Sequence, residues 1–193
     1  MLIILIISFI SSVFLFRARL VRELNLTPSQ ILFFRARKAH ESFASKIYRA
    51  GVRCNPNKIE IYRDKSEVKE IEKLYKEAIE LEDRAKNRSN VAIGYLQLGY
   101  YYRTLEYLDT AENYLHKSLK MIDDLIYENP YDESILSELA VALFRLGELN
   151  HVRGKYEEAK KKYAESLQID QKLGNKKGIR TVSMLMKQID EKT

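Results

Sequence analysis

The spacing of apolar positions among polar ones predicts helical segments separated by short turns. Leu, Ala, Glu, Lys and Arg, which favour helices, are abundant, whereas seven Gly and three Pro are too few for a barrel or sandwich with many tight turns. The expected fold class is therefore all-α. The predicted helices lie near residues 2–24, 28–51, 66–86, 90–106, 109–128, 132–153, 155–173 and 178–191.

The first 16 residues form an apolar segment without a charged side chain. A transmembrane helix usually takes about 20 apolar residues, and Leu20 and Val21 extend the segment. Three arginines (Arg17, Arg19 and Arg22) follow the apolar run, and the positive-inside rule then places the rest of the chain on the cytoplasmic side. We therefore predict a single-pass transmembrane signal anchor over residues 1–24. The alternatives are a buried core helix and a helix buried inside a larger complex.

The positive charge of the chain is concentrated near this apolar end. Residues 17–53 contain nine Lys or Arg and two Glu, a net charge of +7, and the rest of the chain carries −1. A basic segment beside an apolar one indicates an anionic membrane surface more than nucleic acid, so we expect no nucleic-acid partner. The expected membrane-proximal basic residues are Arg17, Arg19, Arg22, Arg35, Arg37 and Lys38.

A basic helix with its own start signal follows the apolar end. Thr27 can cap a helix, Pro28 suits its first turn, and Gln30 stands at the capping-box position. Apolar side chains beside the arginines suit a helix that lies on a membrane. The alternative is that this face packs on the remainder of the chain. We interpret residues 55–57 (Asn-Pro-Asn) as a turn or linker.

The remainder of the chain contains internal repeats. Residues 73–81 align with residues 161–169 at an offset of 88, and residues 114–122 form a third copy. Two longer copies share a Leu-Gly step on one helix and small or aromatic residues on the next. The first reads Tyr95-x2-Leu98-Gly99-x2-Tyr102 and then Ala111-x3-Leu115-x2-Ser118, and the second reads Leu143-x2-Leu146-Gly147-x2-Asn150 and then Ala159-x3-Tyr163-x2-Ser166.

This pattern resembles the tetratricopeptide-repeat family over about residues 66–191. Leu115 departs from it where an aromatic residue is usual, and Asn150 where Tyr is usual. Gly99 and Gly147 lie 48 residues apart, against about 34 in the common repeat, so longer helices are expected around a turn at Asn129 and Pro130. The spacing is similar to the long-repeat subclass of kinesin light chains.

The resemblance implies a helix-hairpin α-solenoid that follows the transmembrane helix. The predicted domains are the anchor (1–24), a basic juxtamembrane helix and linker (25–65), and the helical repeat domain (66–193). The last helix replaces the glycine of the repeat with Lys187, which is typical of a capping helix.

Sequence signals for catalysis are missing. The chain has no Gly-rich phosphate loop, no zinc-protease helix and no nucleophile elbow, and its three His lack metal-ligand spacing. We therefore predict a protein that is not an enzyme, with no cofactor, no metal and no small-molecule substrate.

The resemblance also implies a concave protein-binding surface on the first helix of each hairpin. Its lining lies one residue from the packing positions and is expected to bind a helix or an extended peptide. The alternative is that these side chains contact a neighbouring helix of the same chain. The predicted partner-binding residues are Leu96, Tyr100 and Arg103 in one row and, 48 residues later, Phe144, Glu148 and His151.

Two functions fit this layout, and a third, a cryptic enzyme or a nucleic-acid binder, remains open. The first is a membrane-anchored adaptor or scaffold that recruits protein partners through the groove. The second is a non-catalytic structural accessory subunit of a larger membrane complex. The sequence identifies neither the partner nor the process.

Overall fold

The computed structural model describes residues 26–50, 56–63 and 65–191. These residues form eight α-helices and no strands. The helices are α1 (Pro28–Arg49), α2 (Pro56–Arg63), α3 (Ser66–Arg84), α4 (Arg88–Thr104), α5 (Leu108–Glu128), α6 (Glu133–Val152), α7 (Tyr156–Lys172) and α8 (Lys176–Asp190). Seven of them confirm the predicted helices from residue 28 onward, within a few residues at each end.

The predicted fold class is wrong in its transmembrane part. No helix within the described ranges is long and apolar enough to cross a membrane. The predicted anchor over residues 1–24 lies outside those ranges. The all-helical, repeat-like architecture is what remains of the prediction.

The start of α1 follows the predicted capping box. The Thr27 hydroxyl accepts a hydrogen bond from the Gln30 backbone N–H, and the Gln30 side chain accepts one from the Thr27 N–H at 2.9 Å. The short helix α2 was not predicted. Pro56, which we interpreted as part of a turn, is its first residue, because proline is tolerated in the first helical turn, where its missing N–H has no helical partner.

The helices pack as successive hairpins. Helix α1 packs on α3, α4 on α5, and α6 on α7, while α3, α5 and α7 each pack on the first helix of the next unit, ending with α8. The buried cores of α1, α2, α3 and α4 form one cluster that includes Phe43, Ile47 and Ile59. Helix α1 therefore packs on the repeats, as our alternative interpretation expected.

The two helices approach closely at a glycine in the hairpins α4–α5 and α6–α7. A Cβ atom added at Gly99 would lie 2.6 Å from the Leu115 Cγ, and one at Gly147 would lie 2.6 Å from the Tyr163 ring. Both distances are shorter than Cβ contacts in folded proteins, so a side chain at either position would force its neighbour to move. Ala111 and Ala159, the small residues predicted on the facing helices, are completely buried.

Hydrogen bonds repeat with the same period as the glycines. The Ser118 hydroxyl donates to the Ala92 carbonyl, and the Ser166 hydroxyl donates to the Ala140 carbonyl, both at 2.8 Å. The two bonds are 48 residues apart at each end and join α4 to α5 and α6 to α7. They confirm the repeat register that the sequence predicts.

Four of the turns between helices share one backbone conformation. Each contains a residue with φ between 57° and 73°, in the left-handed region: Lys86, Glu106, Gly154 and Gly174. In each turn the next N–H bonds back to a carbonyl five residues earlier, as in Asn87 to Glu82 and Lys155 to Asn150. The turn between α5 and α6 differs and passes through Asn129 and Pro130, as predicted.

Candidate functional site

The first helices of the units form one continuous face of the molecule. Helix α4 contacts both α1 and α6 in addition to its own hairpin partner. We call the exposed face made by α1, α4, α6 and α8 the inner surface. Grooves run along it between α1 and α4, between α1, α4 and α6, and between α6 and α8.

Tyr100 lies at the centre of the inner surface. The His40 ring from α1 lies 4.8 Å from its ring centroid. The Arg145 guanidinium carbon from α6 lies 3.8 Å from the same centroid and 5.4 Å from the centroid of Phe144. Arg145 therefore lies against both predicted aromatic residues, and cation–π attraction favours this arrangement.

Two arginines share one carboxylate beside Tyr100. The Arg103 and Arg145 guanidinium groups each donate to a different Glu148 oxygen at 2.6 Å. The side chains of Arg103 and Glu148 are only 9% and 15% exposed. The Arg103 Nε is buried and has no hydrogen-bond acceptor among the described residues. This cluster carries a net charge of +1 in a site from which most water is excluded.

His40 belongs to a chain of hydrogen bonds that joins three helices. The Thr104 hydroxyl donates to the Tyr100 carbonyl at 3.0 Å, so its oxygen is free to accept from the His40 Nε2–H at 2.9 Å. The His40 Nδ1 then accepts from the Tyr75 hydroxyl at 3.5 Å. These partners select the neutral imidazole protonated on Nε2.

The surroundings of His40 also favour the neutral ring. Burial lowers its pKa to about 3, and the positive charges of Arg145 and Arg103 act in the same direction. His40 is therefore uncharged at neutral pH. Its part in the site is to position Tyr100 and Thr104.

The central groove lies beside this cluster and has a volume of about 170 Å³. Tyr48 and Val152, on opposite walls, are 69% and 46% exposed, which is high for large apolar side chains. The lining residues are Ala44, Ile47, Tyr48, Tyr100, Arg103, Thr104, Glu106, Glu148 and Val152. Exposed aromatic and aliphatic groups next to a buried charge cluster suit the binding of another polypeptide.

The six predicted partner-binding residues have different environments. Tyr100 and Phe144 are half-buried and flank Arg145. Arg103 and Glu148 bind each other, which agrees with our alternative that some of these side chains contact a neighbouring helix. His151 is half-buried, with its ring 5.7 Å from that of Tyr156.

Leu96 does not belong to the exposed lining. It is 1% exposed and lies in the core cluster with Ala92, Ala142 and Leu146. Phe144, at the equivalent position of the next hairpin, packs 5.8 Å from the Tyr163 ring and remains partly exposed. The same repeat position is therefore a core residue in one hairpin and a surface residue in the other.

The predicted basic residues fall into two groups. Arg35, Arg37 and Lys38 are exposed on α1. Arg17, Arg19 and Arg22 lie outside the described residues. Among these basic residues, Arg37 also lines the groove between α1 and α4.

Sequence reasoning missed Arg145 and His40. Arg145 lies 48 residues after Gln97, a position that the predicted rows did not include, so the repeat pattern did not single it out. Nothing in the repeat pattern indicated His40, because α1 precedes the repeats that the sequence makes visible. Within residues 26–50, 56–63 and 65–191, no group of three His, Cys, Asp or Glu is placed to hold a metal ion.

Comparison with known proteins gives one match. A family model described as an uncharacterized protein conserved in bacteria (DUF2225) matches residues 34–189. No curated protein and no solved structure matches the chain. The matched range begins within α1 and ends within α8, so it includes the central groove and the groove between α6 and α8, and the part of the groove between α1 and α4 that begins at Phe34.

Proposed function

We propose that this chain, which belongs to the DUF2225 family, is an adaptor or scaffold that binds a partner protein on its inner surface. The central groove between α1, α4 and α6 carries this proposal. It presents Tyr48 and Val152 as exposed apolar groups next to Tyr100 and the Arg103–Glu148–Arg145 cluster. Aromatic and arginine side chains around a partly desolvated groove are the groups that dominate protein–protein affinity.

The contacts around Tyr100 support a preformed site. Its ring contacts both His40 and Arg145, and its backbone carbonyl accepts from Thr104. A side chain held by its neighbours loses little conformational entropy when a partner binds, and so more of the contact energy appears as affinity.

We also propose that the hairpins α4–α5 and α6–α7 are repeats of the tetratricopeptide type. The close approaches at Gly99 and Gly147 and the paired Ser118 and Ser166 hydrogen bonds support this assignment. In such repeats, stacked hairpins leave the first helices free to form an extended binding surface.

Removal of the two aromatic side chains tests the adaptor function. We expect Tyr100→Ala combined with Phe144→Ala to abolish co-purification of the partner after crosslinking in native cells. Aromatic anchors commonly contribute about 2 kcal/mol or more, roughly thirtyfold in affinity. Circular dichroism should show unchanged helix content, and quantitative mass spectrometry of the purified complex measures the loss.

Two further variants separate binding from folding. Tyr127→Ala combined with Tyr131→Ala removes two tyrosines that are 90% and 88% exposed near the α5–α6 turn, outside the grooves, and should retain the partner. Tyr48→Ala truncates an exposed groove residue and should weaken co-purification without lowering the melting temperature. The proposal is wrong if Tyr48→Ala and the double inner-surface variant both retain the partner fully.

A further inference from the structure

A second groove on the inner surface lies between the N-terminal halves of α1 and α4. Its volume is about 320 Å³. The lining residues are Leu26, Gln30, Phe33, Phe34, Arg37, Asn90, Ile93 and Gln97. None of these lines the central groove, so the two sites can be tested separately.

Both helices contribute apolar side chains to this second groove. Phe34 is 55% exposed, and Phe33 and Ile93 are half-buried. Phe33 lies close to the α4 backbone, because a Cβ atom added at Gly94 would lie 2.9 Å from its Cζ. The glycine therefore lets Phe33 pack directly on α4.

Two side-chain amides of the second groove are free to bind a ligand. Asn90 and Gln97 are half-buried and make no side-chain hydrogen bond within the described part of the chain. They lie seven residues apart on α4, about 10 Å along the helix at about 1.5 Å per residue. An extended peptide rises about 3.3 Å per residue, so the amides match backbone groups about three residues apart. Each amide offers a donor and an acceptor, as peptide groups require.

Arg37 is the only charged residue among those lining the second groove. It is exposed and has no ion-pair partner in the described ranges. In the central groove, by contrast, Glu148 binds Arg103. An unpaired guanidinium beside an apolar wall is complementary to a carboxylate next to an apolar side chain.

We propose that the second groove binds an extended peptide of a partner protein, one that places an apolar side chain within a few residues of an Asp or Glu. The apolar side chain lies against Phe34 and Ile93, the amides of Asn90 and Gln97 bind the peptide backbone, and Arg37 binds the carboxylate. This inference adds a second site and a ligand class to the proposed function and rests on the same inner surface.

Selection from a phage-displayed library of random decapeptides on the purified full chain tests the inference. We expect the selected peptides to share an acidic residue close to a Leu or an aromatic residue. Fluorescence anisotropy should then show that Arg37→Glu weakens binding about tenfold or more, because it replaces attraction by repulsion. The matched control is Arg35→Glu, which reverses an exposed charge on the same helix outside the groove and should leave affinity within about twofold.

A charge swap and an amide variant complete the test. A peptide with Lys in place of its acidic residue should bind Arg37→Glu better than wild type. Asn90→Ala combined with Gln97→Ala should weaken every selected peptide about tenfold, because the backbone contacts do not depend on peptide sequence. Tyr127→Ala combined with Tyr131→Ala should leave peptide binding unchanged, since neither residue lines this groove.

Three results would overturn the inference. They are a selection that yields no peptide sensitive to Arg37→Glu, selected peptides without a shared acidic residue, and equal effects of the Arg35 and Arg37 variants. The occupant of the groove would then be residues 1–25 of the same chain or a second copy of the chain. Sedimentation distinguishes the two, because it measures the oligomeric state. The proposed function would survive any of these results if the Tyr100 and Phe144 variant still lost its partner.

Discussion

The hairpins α4–α5 and α6–α7 share the contacts between their two helices but differ in the residues that they place on the inner surface. Both close around a glycine, Gly99 or Gly147, and both use a buried serine to bind a carbonyl of the facing helix. In both hairpins, the turn between the two helices contains a residue in the left-handed region, Glu106 or Gly154. The internal contacts of the hairpin are therefore repeated.

The inner surfaces of the same two hairpins do not match. Tyr100 of the first hairpin corresponds to Glu148 of the second, and Gln97 corresponds to Arg145. As a result, Tyr100 contacts both His40 and Arg145, and Glu148 binds Arg103 and Arg145. Packing restricts the first set of positions, whereas the second set differs between the two hairpins.

The largest predicted effect is a dependence of stability on pH, which arises from His40, the residue that contacts Tyr100 from α1. Burial lowers the folded-state pKa of His40 to about 3, below its ordinary value of 6.5. The neutral ring therefore contributes stability that is complete above pH 6.5 and is lost as the pH falls from 6.5 toward 3. The loss is about 1.4 kcal/mol per pH unit, or roughly 3 kcal/mol between pH 6.5 and 4.

Urea unfolding of wild type and His40→Gln across this pH range measures the effect. The variant should show a shallower loss of stability on acidification, because it lacks the buried imidazole that takes up a proton only on unfolding. His116→Gln is the control, since the His116 side chain is 59% exposed. Parallel stability curves for wild type and His40→Gln would show that His40 is not held neutral.

The second prediction compares the two glycines. Gly147→Val should lower the free energy of unfolding by about 3 kcal/mol and Gly99→Val by about 2 kcal/mol, through overpacking. The new side chain meets the rigid Tyr163 ring in one case and the flexible Leu115 in the other. Urea unfolding provides the values. If neither variant changes stability, the glycines are not closely packed, and the repeat register must be revised.

The third prediction concerns the paired serines. Ser118→Ala and Ser166→Ala should each cost about 1 kcal/mol, because each removes one buried hydrogen bond of the same length. Thermal melting of the two variants and of their combination measures the costs, which should add since the sites are in different hairpins. Costs that differ by more than about threefold would mean that the hairpins are not equivalent inside.

The smallest predicted effect is at the turns. Glu106 has a φ of 60° where the equivalent residue, Gly154, has a φ of 73°. Glu106→Gly should raise stability by about 0.5 kcal/mol and Gly154→Ala should lower it by about 1 kcal/mol, because residues with a Cβ are strained in the left-handed region. Differential scanning calorimetry can resolve both shifts. A loss of stability in Glu106→Gly would show that the Glu106 side chain matters more than its backbone.

The sequence predicted the interior of the hairpins well because close packing restricts residue type. Gly99 and Gly147 fixed the period of 48, and the buried serines and alanines followed from it. The seven helices from residue 28 onward could be predicted because the same packing also fixes the spacing of their apolar residues. Helix α2 was missed because Pro56 marks a turn and a helix start equally well.

The inner surface was harder to predict because it depends on how whole units stack. Leu96 lies one residue from the packing positions, yet α4 is covered on several sides and the side chain is buried. The contact of Tyr100 with His40 could not be predicted, because the sequence does not show that α1 occupies the place of the first helix of a hairpin. The ion pair of Arg103 with Glu148 joins helices of different hairpins, and no local pattern encodes it.

Hydrogen exchange of the purified complex with its crosslinked partner tests the central proposal, that the inner surface binds protein, most directly. We predict that partner binding slows amide exchange in residues 95–104 and 143–152, on α4 and α6, and leaves the exposed positions of α5 and α7 unchanged. Slower exchange on α5 and α7, with no change on α4 and α6, would contradict the account and place the binding surface on the second helices.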